Sequence, residues 1–143
     1  DMSQFFLLSV ALDRLEHWHR PGLLAIGDAA HAMSPIGGIG INLAIQDAVA
    51  MANSLADPLR QSENVDGLLH LVERRRRLPT RIIQAGQKLA QDRIIGALFK
   101  PGMQIKRPPL ALRLLDRFPV LRRIPGRIVG LGIQRERVTS LET

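Results

Sequence analysis

The chain has 143 residues, 45% of them hydrophobic, enough for one core of ordinary size. It has no cysteine, which excludes a disulfide framework, thiolate metal sites and a cysteine nucleophile and makes the cytoplasm the simplest compartment. Residues 1–73 hold 3 basic residues against 9 acids and residues 74–143 hold 17 against 4, so the net +7 divides into −6 and +13. Such a split suits an acidic partner, a nucleic acid, an anionic membrane or packing on an acidic part of the same protein. One Trp, four Phe and no Tyr leave few stacking platforms, which argues against nucleic acid.

In chain order, Asp1 to Val10 carries no basic leader and only a short apolar run, so neither a secretion signal nor a membrane span fits it. Phe5-Phe6-Leu7-Leu8-Ser9-Val10 has the composition of a strand. After the charged connector 13–16, His17-Trp18-His19-Arg20-Pro21-Gly22 signals a turn. Leu23-Leu24-Ala25-Ile26 then reads as a strand buried on both faces of a parallel or mixed sheet, ending at Gly27-Asp28. Ser34 to Gly40 holds Pro35, Gly37, Gly38 and Gly40, too many breakers for regular structure, so this loop can bring its backbone close to a ligand.

From Ile41 to about Asp57-Pro58 the dense apolar residues predict a largely buried helix. A second helical tract is expected from Val65 to Phe99, broken or kinked near Pro79. Pro101, Gly102, Pro108 and Pro109 mark a boundary. Residues 110–131 interleave leucines with Arg113, Arg117, Arg122, Arg123 and Arg127 and read as short basic amphipathic helices punctuated by Pro119, Pro125 and Gly126. That tail suits a membrane surface or partner, but packing on another part of the same protein is the preferred reading.

The chemistry concentrates between Gly22 and Ala50, GLLAIGDAAHAMSPIGGIGINLAIQDAVA. A strand, an acid at its carboxyl end, a glycine-rich loop and a helix start converge there. Ligands of open α/β folds sit at such strand ends, and a helix N-terminus favours an anion. Ionised Asp28 only accepts hydrogen bonds, which matches sugar or polyol hydroxyls. Taken singly, Asp28 is equally a turn or capping residue and Asn42 a helix cap. Three glycines within four residues tip the balance toward ligand approach.

These residues resemble the second flavin-binding motif of the aromatic-hydroxylase (para-hydroxybenzoate hydroxylase-like) family of FAD-dependent monooxygenases, a strand ending in Gly-Asp-Ala-Ala-His and continuing through Pro, Gly, Gly and Asn-Leu. The resemblance covers roughly the first 57 residues. It implies an α/β fragment of the GR2-like flavoprotein monooxygenase fold, with a few strands followed by a mainly helical carboxy-terminal region. Residues 1–57 would be the carboxy-terminal part of the FAD-binding domain and 58–143 the helical region. A GxGxxG turn is not found, since Gly37-Gly38-Ile39-Gly40 and Gly130-Leu131-Gly132 both fail the pattern, so the missing amino-terminal part of the same protein would be a partner.

The resemblance implies FAD as cofactor and NAD(P)H as co-substrate. Reduced flavin would activate O2 as a hydroperoxide and hydroxylate a small organic substrate of aromatic type. Cofactor-binding residues would be Gly27 and Asp28 at the ribityl chain, Pro35 beside the ring, and Gly38, Ile39, Gly40, Ile41 and Asn42 along the pyrimidine edge. Halogenases and prenyl reductases share the motif, and a non-enzymatic basic module for membranes or partners is the contrasting class. No residue is assigned to catalysis. His31 reads as a packing histidine, the His17/His19 pair as incidental rather than metal-binding, Trp18 as a structural anchor, and Arg74 to Arg77 as a solvated face beside Glu73. Self-association of such a fragment is also expected from uncovered apolar surface.

Overall fold

A computed structural model describes residues 12–95 and 110–139. The expected strand at Phe5–Val10, the last residues of the second helical tract and the boundary at Pro101 to Pro109 lie outside the described residues. Two strands of two residues each, β1 (His19–Arg20) and β2 (Leu23–Leu24), pair antiparallel with His19 opposite Leu24 and Arg20 opposite Leu23. Pro21-Gly22 closes the hairpin, with Gly22 at φ 72° where the third residue of a type II turn needs a positive φ. The Gly22 N–H donates to Asp66 Oδ1 at 2.7 Å, pinning the turn to the segment that precedes the second long helix.

This corrects the expectation of a fully buried strand over Leu23–Ile26. Leu23 is 60% exposed, and Ala25 and Ile26 are half-buried outside any strand. The apolar run is present, but a strand of a parallel sheet needs partners along its edges, and among the described residues only His19–Arg20 lines up with it.

Helix α1 (Ile39–Arg60) begins at Gly38, which caps it in the left-handed region at φ 60°. Its buried residues, Ile39, Leu43, Gln46, Asp47, Ala50 and Leu55, recur at helical spacing and form one stripe. Ile41 and Ile45 remain 69% and 55% exposed, so the helix is half-buried rather than enclosed, because the elements packed on it cover a single side. It also runs through Pro58 and one turn past the expected end.

Helix α2 (Leu69–Ala90) packs antiparallel in sequence order against α1 and continues through Pro79 without interruption. Pro79 lies on the buried stripe with Val72, Arg76, Thr80 and Ile83, and packing on both sides of it outweighs the backbone bond that proline cannot donate. A π-helical turn, Gln91–Ile95, extends α2. The carboxy-terminal part is helical as read from its amphipathic pattern: α3 (Leu110–Arg117), a 3-10 turn (Pro119–Arg122) and α4 (Arg123–Leu131). Pro125 and Gly126 fall inside α4 instead of breaking it.

The interface between α1 and α2 has apolar ends and a polar middle. One cluster joins Ala50, Leu55, Leu69 and Val72 and the other joins Ile39, Leu43 and Ile83. Between them lie Gln46, Asp47, Arg76 and Thr80, all buried. No helix among the described residues is long and apolar enough to cross a membrane.

Candidate functional site

The site begins where β2 gives way to a 3-10 turn, Gly27–Ala29. Gly27 is buried at φ 57°, and a Cβ placed there would stand 3.0 Å from the Ala44 Cβ of α1. Glycine is therefore needed twice over, for the backbone conformation and for the close approach of turn to helix. The Gly27 carbonyl accepts hydrogen bonds from the Ala30 and His31 N–H groups, both at 2.9 Å, which turns the chain back on itself.

That turn leaves Asp28 exposed at the rim. Its Oδ1 lies 3.9 Å from the point where a Cβ on Gly40 would stand, so the carboxylate sits beside the first turn of α1. Pro35 opens the second 3-10 turn, Ile36–Gly38, in which Gly37 and Gly38 take φ 83° and 60°. Two successive left-handed residues swing the chain into α1, and Pro35, Gly37 and Gly38 are all exposed. Beyond them Ile39 is buried in the α1–α2 interface, Gly40 and Asn42 are half-buried, and Ile41 faces outward. The helix start leaves backbone N–H groups without intrahelical acceptors and carries partial positive charge. An exposed acceptor thus lies beside a partly open helix start, on backbone kept low by glycines.

Beneath this rim is a buried polar network that the sequence did not reveal. Asp47 receives the Gly27 N–H at 3.1 Å and His31 Nε2 at 2.5 Å on Oδ2, and Arg76 Nε at 2.8 Å on Oδ1. The His31, Asp47 and Arg76 side chains are fully buried. An ionised carboxylate only accepts, so His31 Nε2 is the donor of this pair. Burial would raise the Asp47 carboxyl, but hydrogen bonds from His31, Arg76 and Gly27 outweigh it and hold it below the usual carboxylate range.

Arg76 goes on to donate to Gln46 Oε1 at 3.1 Å and to the Gln134 carbonyl at 3.2 Å, while Gln46 donates to the Leu131 carbonyl at 2.8 Å. The end of α4 is thereby tied to the flank of the loop. Arg75 completes the attachment with two bonds to Glu136, at 2.7 and 2.8 Å, and this pairing raises its pKa.

Helix α2 also grips the far limb of the loop. Gln84 Nε2 donates to the Ala32 carbonyl at 3.1 Å, and Gln87 Nε2 to the Ser34 carbonyl at 3.0 Å. Glu73 accepts the Trp18 N–H at 3.0 Å and lies 2.8 Å from His19 Nδ1. Burial would raise its carboxyl too, yet the Trp18 and His19 bonds, aided by the His19 and Arg77 charges, hold it low.

The expected solvated run Arg74 to Arg77 is corrected at Arg76, whose exposure is 0%. Four consecutive arginines cannot all face solvent on a helix packed along one side, and the one on the buried stripe meets Asp47. His31 packs against Trp18 with ring centroids 5.0 Å apart and planes tilted by 41°, and its side chain is buried behind the loop. The residues missed in the sequence are Gln46, Asp47, Arg76, Gln84 and Gln87. The one signal for the first two was a polar pair inside an otherwise apolar helix.

A family model described as "FAD binding domain" matches residues 1–86. Among curated relatives, 6-methylpretetramide 4-monooxygenase of Streptomyces rimosus is 39% identical over 140 residues, 94% of this chain and 31% of the relative. Kynurenine 3-monooxygenase of Stenotrophomonas maltophilia (strain K279a) is 39% identical over 71 residues, 49% of this chain and 15% of the relative. Phenazine 1,6-dicarboxylic acid hydroxylase PhzS of Lysobacter antibioticus is 40% identical over 75 residues, 52% of this chain and 18% of the relative. The chain thus spans less than a third of the length of each of these relatives. No solved structure matches it.

Proposed function

Because this chain belongs to the FAD binding domain family, we propose that its Asp28 rim holds the ribityl and isoalloxazine part of FAD within an NAD(P)H-dependent monooxygenase. The observation that carries this reading is the exposed Asp28 carboxylate beside the glycine-bounded first turn of α1.

In this reading Asp28 accepts hydrogen bonds from polyol hydroxyls, a task for an acceptor that keeps its charge in water. Gly27 and Asp47 act on the protein side, setting the height and tilt of the turn that presents Asp28. Pro35 and the exposed Gly37 and Gly38 lie where a flat ring can approach backbone that carries no Cβ at either glycine. The Gly38 N–H is taken by the Pro35 carbonyl, so within the stretch Gly38 to Asn42 it is the helix dipole and the first-turn N–H groups of Ile39 to Ile41 that favour negative charge on the edge of that ring. FAD, when bound, supplies the redox chemistry, and the chain supplies position and charge complementarity.

Residues 1–57 are assigned to the flavin domain and 58–143 to a helical region that braces it through Arg76, Gln84 and Gln87. The relatives named as monooxygenases or hydroxylases support oxygen insertion into a small organic substrate rather than halogenation or reduction of a prenyl chain. The test is to follow NAD(P)H oxidation and O2 uptake by the intact protein. The expected result is NAD(P)H oxidation coupled to O2 uptake by a flavin-containing protein. Oxidation proceeding equally well without O2 would overturn the monooxygenase assignment.

A further inference from the structure

A second charged region lies on the outer face of α2, away from the Asp28 rim. Arg74, Arg77, Leu78 and Arg81 are spaced by three, four and seven residues and share one face of the helix. With His19 of β1 and His70 they line a cavity of about 360 Å3, within the size range of small-molecule sites.

Glu73 is the one acid in that lining, and its charge is already engaged with the Trp18 N–H, His19 and Arg77. Arg74 and Arg81 are exposed and have no hydrogen-bond or ion-pair partner among the described residues. Arg77 spends Nη1 on Glu73 at 3.2 Å, while its Nε is buried with no acceptor. The Arg77 side chain as a whole is 39% exposed beside Arg74 and Arg81, so part of it is open to an occupant with anionic oxygens.

Three guanidinium groups against one engaged carboxylate leave a net positive charge. The planar donor fork of arginine matches the oxygens of a phosphoryl group. Arg74 and Arg81 are about 10 Å apart along the helix axis, a gap their long side chains can close over Leu78. Leu78 is 63% exposed and provides an apolar floor between them.

We propose that this cavity is a binding site for a phosphate ester or pyrophosphate group of a small molecule. The proposal does not depend on the flavin assignment. Its source is either a nucleotide or a free phosphate compound, and the two are separable by experiment.

Inorganic pyrophosphate is titrated calorimetrically into the intact protein at low and moderate salt. The same titration is run on an Arg74→Ala/Arg81→Ala variant and on an Arg113→Ala/Arg117→Ala variant, which removes the same charge from exposed positions of α3. One saturable site per chain is expected, weakened at least about tenfold in the cavity variant and unchanged in the α3 variant. Displacement of pyrophosphate by both NADPH and NADH assigns the site to a dinucleotide pyrophosphate, displacement by NADPH alone to its additional phosphate ester, and displacement by neither to a free phosphate compound. Absence of saturable binding, or equal weakening in both variants, overturns the proposal, since screening of overall charge alone would then account for the signal. Both replacements of the cavity variant are at exposed residues, so unchanged thermal melting confirms that any loss is local.

Discussion

Arg76→Ala is expected to cost about 3–5 kcal/mol of folding stability, read as a lowered urea midpoint of the intact protein. The guanidinium is fully buried and holds Asp47 Oδ1, Gln46 Oε1 and the Gln134 carbonyl. Removing it leaves a buried carboxylate with less compensation and a cavity between the two apolar clusters. Replacing exposed Arg74 in the same run of four should cost within about 0.5 kcal/mol, so the contrast separates burial from residue type. Arg76→Ala combined with Asp47→Ala should lose about 1–3 kcal/mol less than the two single losses added, because each single variant strands the other's partner.

The pair also sets a pH dependence. The folded-state pKa of Asp47 is lowered, so its contribution is present above the unfolded carboxylate value of about 3.9 and is lost as pH falls through the folded value. Glu73 is lowered in the same sense and adds to the loss. Stability should therefore fall below about pH 4, with a shallower fall in Asp47→Asn. An Arg76→Ala midpoint equal to that of Arg74→Ala would remove the network from the account of how the loop is held.

Gly27→Ala is the second large effect, expected at about 2–5 kcal/mol. A left-handed backbone at φ 57° costs a non-glycine residue about 1–2 kcal/mol, and crowding against packed atoms adds about 1–3 kcal/mol. The added methyl meets Ala44 Cβ at 3.0 Å and its Cα at 3.6 Å, atoms of a helix that cannot swing aside. Gly67→Ala is the control, since a Cβ there meets nothing within 4 Å and the backbone is not left-handed. The melting temperature should drop by several degrees in the first variant and stay or rise slightly in the second. Gly27→Ala should also weaken flavin binding, because the turn that presents Asp28 can only relieve the clash by moving off α1.

The rim was legible in the sequence because its signals are local. Gly27, Gly37 and Gly38 all adopt the positive φ that only glycine accepts readily, and the Gly-Asp pair falls in a tight turn beside the helix start. The helices were legible from apolar spacing, which needs no knowledge of partners. What packs on a helix is another matter: the exposure of Ile41 and Ile45 depends on which neighbours cover α1. The same holds for Leu23–Ile26, where an apolar run fixes extended character but not the number of strands beside it.

Asp47 and Arg76 are 29 residues apart on different helices, and nothing in either local pattern couples them. An arginine in a run of four looks solvated until the buried stripe of α2 is known. Local propensity predicts a break or kink at Pro79, and packing on both sides of it keeps the helix unbroken.

If Asp28 grips FAD as proposed, a titration of FAD into the flavin-stripped intact protein, wild type against Asp28→Ala, will show it. The side chain is exposed and makes none of the bonds that hold the loop among the described residues, so the variant should fold and melt normally among its unliganded counterparts. Loss of hydrogen bonds to a charged acceptor, about 1.5–3 kcal/mol, predicts FAD affinity weaker by about 10-fold to 100-fold. Equal affinity in the two proteins would contradict the account and move the flavin away from this rim.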